Sequence, residues 1–154
     1  MGSTDAAHQA TLRFYQALDD LLLGNGTQAM HDAWHHEDFT TTVHPFGHWA
    51  HGWEEVWATW QEVAEVFAYY RGHANRRDGI GGIHDLRVAV LGEAALAVGV
   101  YKSCLYMPNG SILLSVNCTN VLHCRGGDWR MVHHHPDQAP PDYQKAIASL
   151  VEHA

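Results

Sequence analysis

The sequence predicts an α+β domain in which helices come first and an antiparallel sheet follows. Apolar residues recur at 3.6-residue spacing in the first half of the chain, which is typical of amphipathic helices. The second half alternates β-branched and apolar runs with glycine-containing turns, which is typical of hairpins. With 154 residues, the chain is long enough for its own core and is expected to form one domain, 1–154.

Three helices are predicted ahead of the sheet. The first spans about Asp5–Leu23 and is followed by a glycine, which suits a helix C-terminus. A short helix, about Thr27–Trp34, comes next. The third helix, about Gly52–Tyr70, carries an apolar stripe that includes Trp57 and Trp60. Packing in the core is the plain interpretation of these tryptophans, and lining a pocket for a flat apolar ligand is the functional one.

Strands make up most of the remaining chain. Phe39–Val43 is a short β-branched strand that ends before a proline. A polar, glycine-rich loop is predicted at Gly72–Gly82, and short turns beyond it predict an antiparallel meander. The meander strands and the terminal helix are about Leu86–Val90, Ala94–Tyr106, Ser111–Cys124, Trp129–His135 and Tyr143–His153.

Charge and composition exclude several classes of protein. Acidic residues outnumber basic ones by 17 to 9, which gives a formal charge of -8 and argues against nucleic-acid binding. No apolar run is long enough for a membrane span, and the N-terminus lacks the pattern of a secretory signal. Three cysteines without a CxxC spacing are typical of reduced thiols, so we expect a cytoplasmic protein.

Histidine is the residue type that points to chemistry. The chain has 14 histidines, and they cluster at 34–36, 44–51 and 132–135. The unperturbed pKa of an imidazole lies near neutrality, so this side chain can transfer protons or offer a lone pair to a metal. The sequence therefore predicts proton-transfer or metal chemistry.

Three segments carry a resemblance to known families. Thr42-Val-His-Pro-Phe-Gly47, followed by His51-Gly52 and a helix, resembles the segment that holds the catalytic base in ketosteroid isomerases. Leu86–Ala97 resembles two strands of the SnoaL-like polyketide cyclases, and Gly127–His135 resembles the last hairpin of that superfamily. The order of elements is similar to the nuclear transport factor 2-like fold.

This resemblance implies a cone-shaped, curved antiparallel sheet packed against three helices that enclose an apolar pocket. It also implies a homodimer and a small apolar or carbonyl-containing ligand. Isomerases, cyclases, dehydratases and non-catalytic binding domains share the fold, so the fold alone leaves the function open.

His44 is the strongest candidate for a catalytic base. The isomerases hold an aspartate before this proline, and the present chain holds an imidazole, whose pKa suits a base without tuning. The alternative is a loop histidine that caps the next helix or pairs with an acid. His134 is a second candidate, because comparison with the fold's known pockets favours its facing inward, although a bulge would swap the faces.

Two further residues belong to predicted strands. Lys102 shares a strand face with apolar residues and is a candidate for stabilising an enolate, unless its ammonium reaches solvent. His84 shares a face with Leu86 and Val88, so it is a candidate for substrate binding or a core histidine that has its hydrogen bond.

Two more pairs of residues each have two alternative interpretations. Asn117 and Thr119 lie on a mostly polar strand face, which indicates solvent or a dimer interface, whereas the resemblance places Thr119 near an oxyanion-binding position. Tyr15 resembles the oxyanion-hole tyrosine of the isomerases. Asp19, one turn later, either orients a histidine or is solvated.

The resulting hypothesis is a cofactor-free isomerase, cyclase or dehydratase that removes a proton next to a carbonyl group. His44 would take the proton, and Lys102, Tyr15 or a second histidine would stabilise the enolate. A metal-dependent enzyme is the first alternative, because His44-x3-His48-x2-His51 and the last histidine cluster offer enough ligands for three metal bonds. A ligand-binding or assembly module without chemistry is the second alternative.

Overall fold

The computed structural model describes residues 3–45, 47, 49–69, 74–75, 81–107 and 110–152. These residues form four helices and seven strands. The long elements follow the predicted order, with ends within a few residues of those expected, whereas the two-residue strands Ala50–His51 and Ala74–Asn75 were not predicted. The helices are α1 (Ser3–Leu22), α2 (Gln28–Asp32), α3 (Trp53–Tyr69) and α4 (Pro141–Glu152). The strands are β1 (Thr41–Thr42), β2 (Ala50–His51), β3 (Ala74–Asn75), β4 (Gly82–Leu91), β5 (Ala94–Met107), β6 (Gly110–Arg125) and β7 (Asp128–Pro136).

The strands form one mixed sheet. The order is β2-β1-β7-β6-β5-β3, and β4 also pairs with β5. The four long strands are antiparallel neighbours, as predicted, whereas β1 runs parallel to β7. Most of the predicted loop Gly72–Gly82 lies outside the described residues, although β3 falls within it. The parallel pairing matters for function because it brings the end of β1, where His44 follows, next to His134 on β7.

The core lies between one face of the sheet and the helices. From α1 it takes an apolar stripe at helical spacing that includes Phe14 and Leu18, and from α3 it takes Trp60 and Phe67. Beyond the end of α1, Gly24 adopts a positive φ of 75°, a conformation that glycine accepts without strain. Among the described residues, no helix is long and apolar enough to cross a membrane.

A bulge in β7 decides which histidines face the core. Leu122 pairs with Met131 and Val121 with His133, so Val132 is an extra residue in the strand. The alternation of faces therefore shifts by one residue. As a result Met131 and His134 both point inward, and His134 is 3% exposed. The inward orientation predicted for His134 is confirmed.

A second bulge reverses the orientation predicted for His84. The pairing of β4 with β5 shifts between His84 and Arg87, and Asp85 has a φ of 54°. Ile83 pairs with Tyr101 on the inner face, so His84 lies on the outer face. The bulge separates His84 from the inward face of Leu86, and the prediction that these two share a face is wrong.

The inner face of β5 is opposite to the one predicted. Tyr101 and Ser103 are buried and point toward the helices. Lys102 lies between them, and successive side chains on a strand point to opposite faces. Its inward placement was therefore predicted wrongly. The outer face is partly apolar, which explains why the pattern of this strand was ambiguous.

Asn117 and Thr119 on β6 are exposed on the outer face. The alternation on this strand places Val116, Cys118 and Asn120 inward. For Asn117 and Thr119, the structure supports the interpretation that their strand face is polar and faces solvent or an interface. The inner face instead holds an asparagine that the sequence reasoning did not select.

Candidate functional site

A small cavity of about 50 Å³ lies inside the cone, between the sheet and the helices. Its volume has room for a few water molecules. Apolar side chains form most of the wall, and the polar members are two imidazoles, two phenols, a thiol and a hydroxyl. These polar lining residues are His44, His134, Tyr101, Tyr143, Cys118 and Ser103.

Hydrogen bonding fixes the tautomer of His44. The ring nitrogen Nε2 lies 2.8 Å from Oγ1 of Thr59. The Thr59 hydroxyl donates its proton to the carbonyl oxygen of Val56 at 2.7 Å, so its oxygen must accept from the ring. Nε2 therefore carries the hydrogen, and the lone pair that can take a proton is at Nδ1.

Burial makes His44 a neutral base. The residue is 9% exposed, and the edge of its ring meets Trp60 at a centroid distance of 4.5 Å. Loss of hydration disfavours the imidazolium and lowers the pKa of His44 to about 4. The near-neutral pKa expected from the sequence is therefore wrong, and the ring is uncharged at neutral pH.

A second hydrogen-bonded unit fixes His134. Nδ1 of His134 lies 2.6 Å from Oδ1 of Asn120. The amide nitrogen of Asn120 donates to the carbonyl oxygen of Ala97 at 3.2 Å and to the hydroxyl of Tyr15 at 2.9 Å. An amide oxygen can only accept, so Nδ1 of His134 carries the hydrogen and its lone pair is at Nε2.

The whole interior favours uncharged groups. Burial, reinforced by the nearby His44, His133 and His135, lowers the pKa of His134 well below its usual value. Burial raises the pKa of Tyr15 far above its usual value, so its phenol stays protonated. A charge formed here must be compensated within the site, because these groups are buried among mostly apolar side chains.

Tyr143 and Ser103 supply hydroxyl groups that the sequence reasoning missed. Both line the cavity, and they are hydrogen-bonded to each other. Burial raises the pKa of the Tyr143 phenol, and the hydrogen bond with Ser103 opposes that rise. Ser103 lies two residues after the inward-facing Tyr101, so the two side chains share one face of β5. No pattern in the sequence predicts that α4 packs Tyr143 against the sheet.

A larger groove of about 710 Å³ meets the cavity from outside. It runs between α3 and α4 and is open to solvent. His44, Val63 and Phe67 line both spaces. The His44 ring therefore lies where the small cavity and the groove meet.

The structure brings together only some of the predicted site residues. Of the tryptophans, Trp60 lines the cavity, whereas Trp57 packs against His31 and Trp53 elsewhere. Tyr15 reaches the site through Asn120. Asp19 is 4% exposed, so the alternative of a solvated carboxylate does not hold for it.

Four predicted residues lie away from the cavity on the outer sheet face: Lys102, His84, Asn117 and Thr119. Asn120, which binds both His134 and Tyr15, was missed. The alternation of strand residues identifies it, because Asn120 shares a face of β6 with the buried residues Leu114, Val116 and Cys118.

The metal alternative rests on histidines that lie in different places. His44 is inside, whereas His51, His133 and His135 surround the exposed ring of Trp49 on the outside. His48 lies outside the described residues. Within the part of the chain that the structure describes, no three histidine, cysteine or acidic side chains come together as a set that could hold a metal ion.

Comparisons with known proteins agree with the architecture. Residues 24–136 match the family model described as the SnoaL-like domain. No curated protein matches the chain. The predicted α+β cone and the resemblance to this superfamily are confirmed.

Solved structures with this fold carry different descriptions. A candidate dehydratase of the NTF2-like family from Streptomyces avermitilis is 18% identical, with a TM-score of 0.68 over 88% of this chain and 95% of that chain. A candidate ketosteroid isomerase from Shewanella frigidimarina is 15% identical, with a TM-score of 0.65 over 88% and 98%. The association domain of C. elegans CaMKII is 18% identical, with a TM-score of 0.59 over 88% and 98%. Identities this low show the fold alone.

Proposed function

The chain belongs to the SnoaL-like domain family. We propose that it is an enzyme acting on a small, largely apolar substrate, from which it removes a proton next to a carbonyl group. The observation that carries the proposal is the state of His44. Its Nε2–H is donated to Thr59, its ring is neutral, and the lone pair that can accept a proton is therefore on Nδ1. We propose that no metal or cofactor takes part.

The chemical step moves one proton and two electron pairs. Nδ1 of His44 takes the proton from the carbon next to the carbonyl, the C–H electron pair becomes the C=C bond of an enolate, and the π pair of the carbonyl moves to its oxygen. An imidazolium and an enolate arise together, so the net charge of the site does not change. This pairing suits an interior that penalises isolated charge.

Hydroxyl donors on the cavity wall support the enolate. Tyr143 and Ser103 line the cavity, and the raised pKa of Tyr143 keeps its phenol protonated as a hydrogen-bond donor. This role replaces the one expected for Lys102, which lies on the outer face. Asn120 acts as a positioning residue, because it holds His134 and Tyr15 in fixed orientations.

The fate of the enolate distinguishes three reactions. Return of the proton to a different carbon is isomerisation. Loss of a β-hydroxyl group, with the imidazolium proton leaving in water, is dehydration. Attack of the enolate carbon on a second carbonyl is cyclisation. All three begin with the step assigned to His44, and the similarity to a candidate dehydratase and a candidate isomerase supports this class.

Hydrogen–deuterium exchange tests the shared step without knowledge of the natural substrate. We expect the protein to accelerate exchange of the α-protons of 2-tetralone in D2O, because base catalysis at carbon needs only proton removal and return. Proton NMR follows the loss of the α-proton signal. The measurement is repeated after treatment with EDTA.

Two outcomes would contradict the proposal. An exchange rate equal to that of buffer, with 2-tetralone shown to bind by titration, would remove the proposed chemistry. Exchange that disappears with EDTA and returns with a divalent metal would favour the metal-dependent alternative instead.

Self-association is a second proposal, carried by the outer face of the sheet. Leu96 and Leu113 are 40% and 50% exposed there, beside the half-buried Val98 and Val100. Exposed apolar side chains on a sheet face suit contact with a second copy. The similarity to an association domain supports a homodimer, either as an enzyme or as an assembly module.

Size-exclusion chromatography with light scattering measures the molar mass in solution and so tests whether this face forms a dimer interface. We expect the L96K/L113K variant to be a monomer where the parent protein is a dimer, because two ammonium groups would be desolvated at the contact. The matched control is Leu12→Lys, a substitution of a 36% exposed leucine on α1. A parent protein that is monomeric, or a double variant that remains a dimer, would contradict the proposed interface.

A further inference from the structure

The groove outside His44 has a distinct chemical character. One face of α3 forms its floor, with residues at positions 55, 58, 59, 62, 63, 66 and 67, and α4 contributes Ile147 and Ala148 to the opposite wall. Most of these side chains are apolar. Its volume of about 710 Å³ accommodates the body of an organic molecule, whereas the adjoining cavity of about 50 Å³ has room only for a small group such as the reacting carbonyl.

The charged side chains among the described lining residues of the groove are all of one sign. Glu55 and Glu62 line it, and its described lining includes no lysine or arginine. The carboxylate of Glu55 is held in place by the backbone N–H of His51 at 2.9 Å. An anionic ligand would meet repulsion here, whereas a cation would meet attraction.

The two carboxylates flank the catalytic position along the helix. Thr59, which binds His44, lies four residues after Glu55 and three before Glu62. At 1.5 Å of rise per residue, the Cα atoms of Glu55 and Glu62 are displaced from that of Thr59 along the helix axis by about 6 Å and about 4.5 Å, or about one helical turn each. A ligand seated on this face can therefore reach His44 and one carboxylate at the same time.

We propose that this groove binds an amphipathic amine, with its apolar body against α3 and α4 and its ammonium group at Glu62 or Glu55. The inference rests on the proposed function, since it names the substrate class of the His44 site. The reacting carbonyl lies at His44, and the ammonium lies about one helical turn away. The formal charge of -8 favours the same class of ligand over carboxylates and phosphates.

A matched pair of probes tests the charge preference. The compounds are 3-phenylpropylamine and 3-phenylpropionate, which share an apolar body and differ in the sign of the charge. We expect the amine to bind about tenfold more tightly by NMR titration, because two carboxylates act on it near the surface. Equal binding, or tighter binding of the carboxylate, would overturn the proposal.

Two double variants separate the groove from the general acidity of the protein. The E55Q/E62Q variant is expected to abolish most of the preference for the amine. The E54Q/E65Q variant removes two exposed carboxylates of the same helix that do not line the groove, and it is expected to keep the preference. If both variants lose the preference equally, the amine binds through net charge and the site is wrongly assigned.

A groove-filling variant adds an independent measurement. Ala58→Trp places a large ring on the groove floor, so we expect it to weaken both probes. Unchanged binding of both probes would place them elsewhere and overturn the assignment.

Failure of this inference and failure of the proposed chemistry give different results. Binding is measured at equilibrium and requires no turnover. An enzyme that exchanges 2-tetralone protons but shows no charge preference would refute the groove assignment alone. A protein that prefers the amine through Glu55 and Glu62 but exchanges no protons would refute the catalytic proposal alone.

Discussion

Replacement of His44 by glutamine is expected to slow α-proton exchange by about a hundred- to ten-thousandfold, the usual contribution of a positioned general base. The glutamine amide can still donate a hydrogen bond to Thr59, so the local fold keeps its main contact. It has no lone pair basic enough to take a proton from carbon. The rate constant for exchange is measured by NMR on the folded variant.

The control for His44→Gln is His51→Gln, which replaces an exposed histidine outside the cavity. We expect this control to exchange protons at the parent rate. A His44→Gln protein that remains folded and keeps full activity would remove His44 from the role of base. Loss of activity in both variants would point to a role of the outer histidines instead.

The pH profile of the parent protein follows from the state of the ring. Because the pKa of His44 is about 4, the base is already deprotonated above that pH, and the rate is expected to be flat from about pH 6 to 8. With an imidazole of the usual pKa, the rate would instead fall as the pH drops below about 6.5. Such a fall would show that the base is hydrated or is another group.

Local pattern was sufficient to predict the architecture. The helical stripe of α3 and the hairpin turns between the long strands each specify their element without help from distant residues. Gly24 marks the end of α1 through a conformation that few other residues adopt. These signals lie within a few residues of one another, so the sequence alone contains them.

The faces of the strands were harder to predict because bulges change them. In β7, Trp129 and Met131 would share one face of a regular strand, and Val132 and His134 would share the other. Because both faces then carry apolar residues, the pattern does not tell which face points inward. The bulge at Val132 resolves this conflict, because it places both Met131 and His134 on the inner face. In β4, Asp85 takes a left-handed conformation and moves His84 outward. Such irregularities depend on the neighbouring strand and have no simple periodicity.

The site could be predicted only where one residue type carries the chemistry. His44 was selected because it stands before the proline where the isomerases hold their base, and His134 because comparison with the fold's known pockets favoured its facing inward; both line the cavity. Asn120 was missed because it is a single polar residue on a strand face whose other members, Leu114, Val116 and Cys118, are apolar and typical of a core. The lowered pKa of His44 was also missed, since burial is a property of the packed structure.

Stability is expected to fall steeply as the pH drops from about 6.5 toward 4. In the unfolded chain, His44 binds a proton with the ordinary imidazole pKa of about 6.5, whereas the folded protein holds the same ring neutral down to about 4. The unfolded state therefore carries more protons in this range, so the free energy of unfolding rises with pH. The contribution of His44 is fully present above about pH 6.5 and is on the order of 3 kcal/mol.

His134 adds to the same effect, because its pKa is also lowered, chiefly by burial. Urea unfolding followed by tryptophan fluorescence at pH 7.5 and 5.0 gives the difference in unfolding free energy. We expect the H44Q/H134Q variant to lose most of that difference, whatever its stability at neutral pH. The control H36Q/H51Q removes two exposed histidines and should retain it. If the two double variants show the same pH dependence as the parent, the buried imidazoles are not the groups that make the fold sensitive to acid.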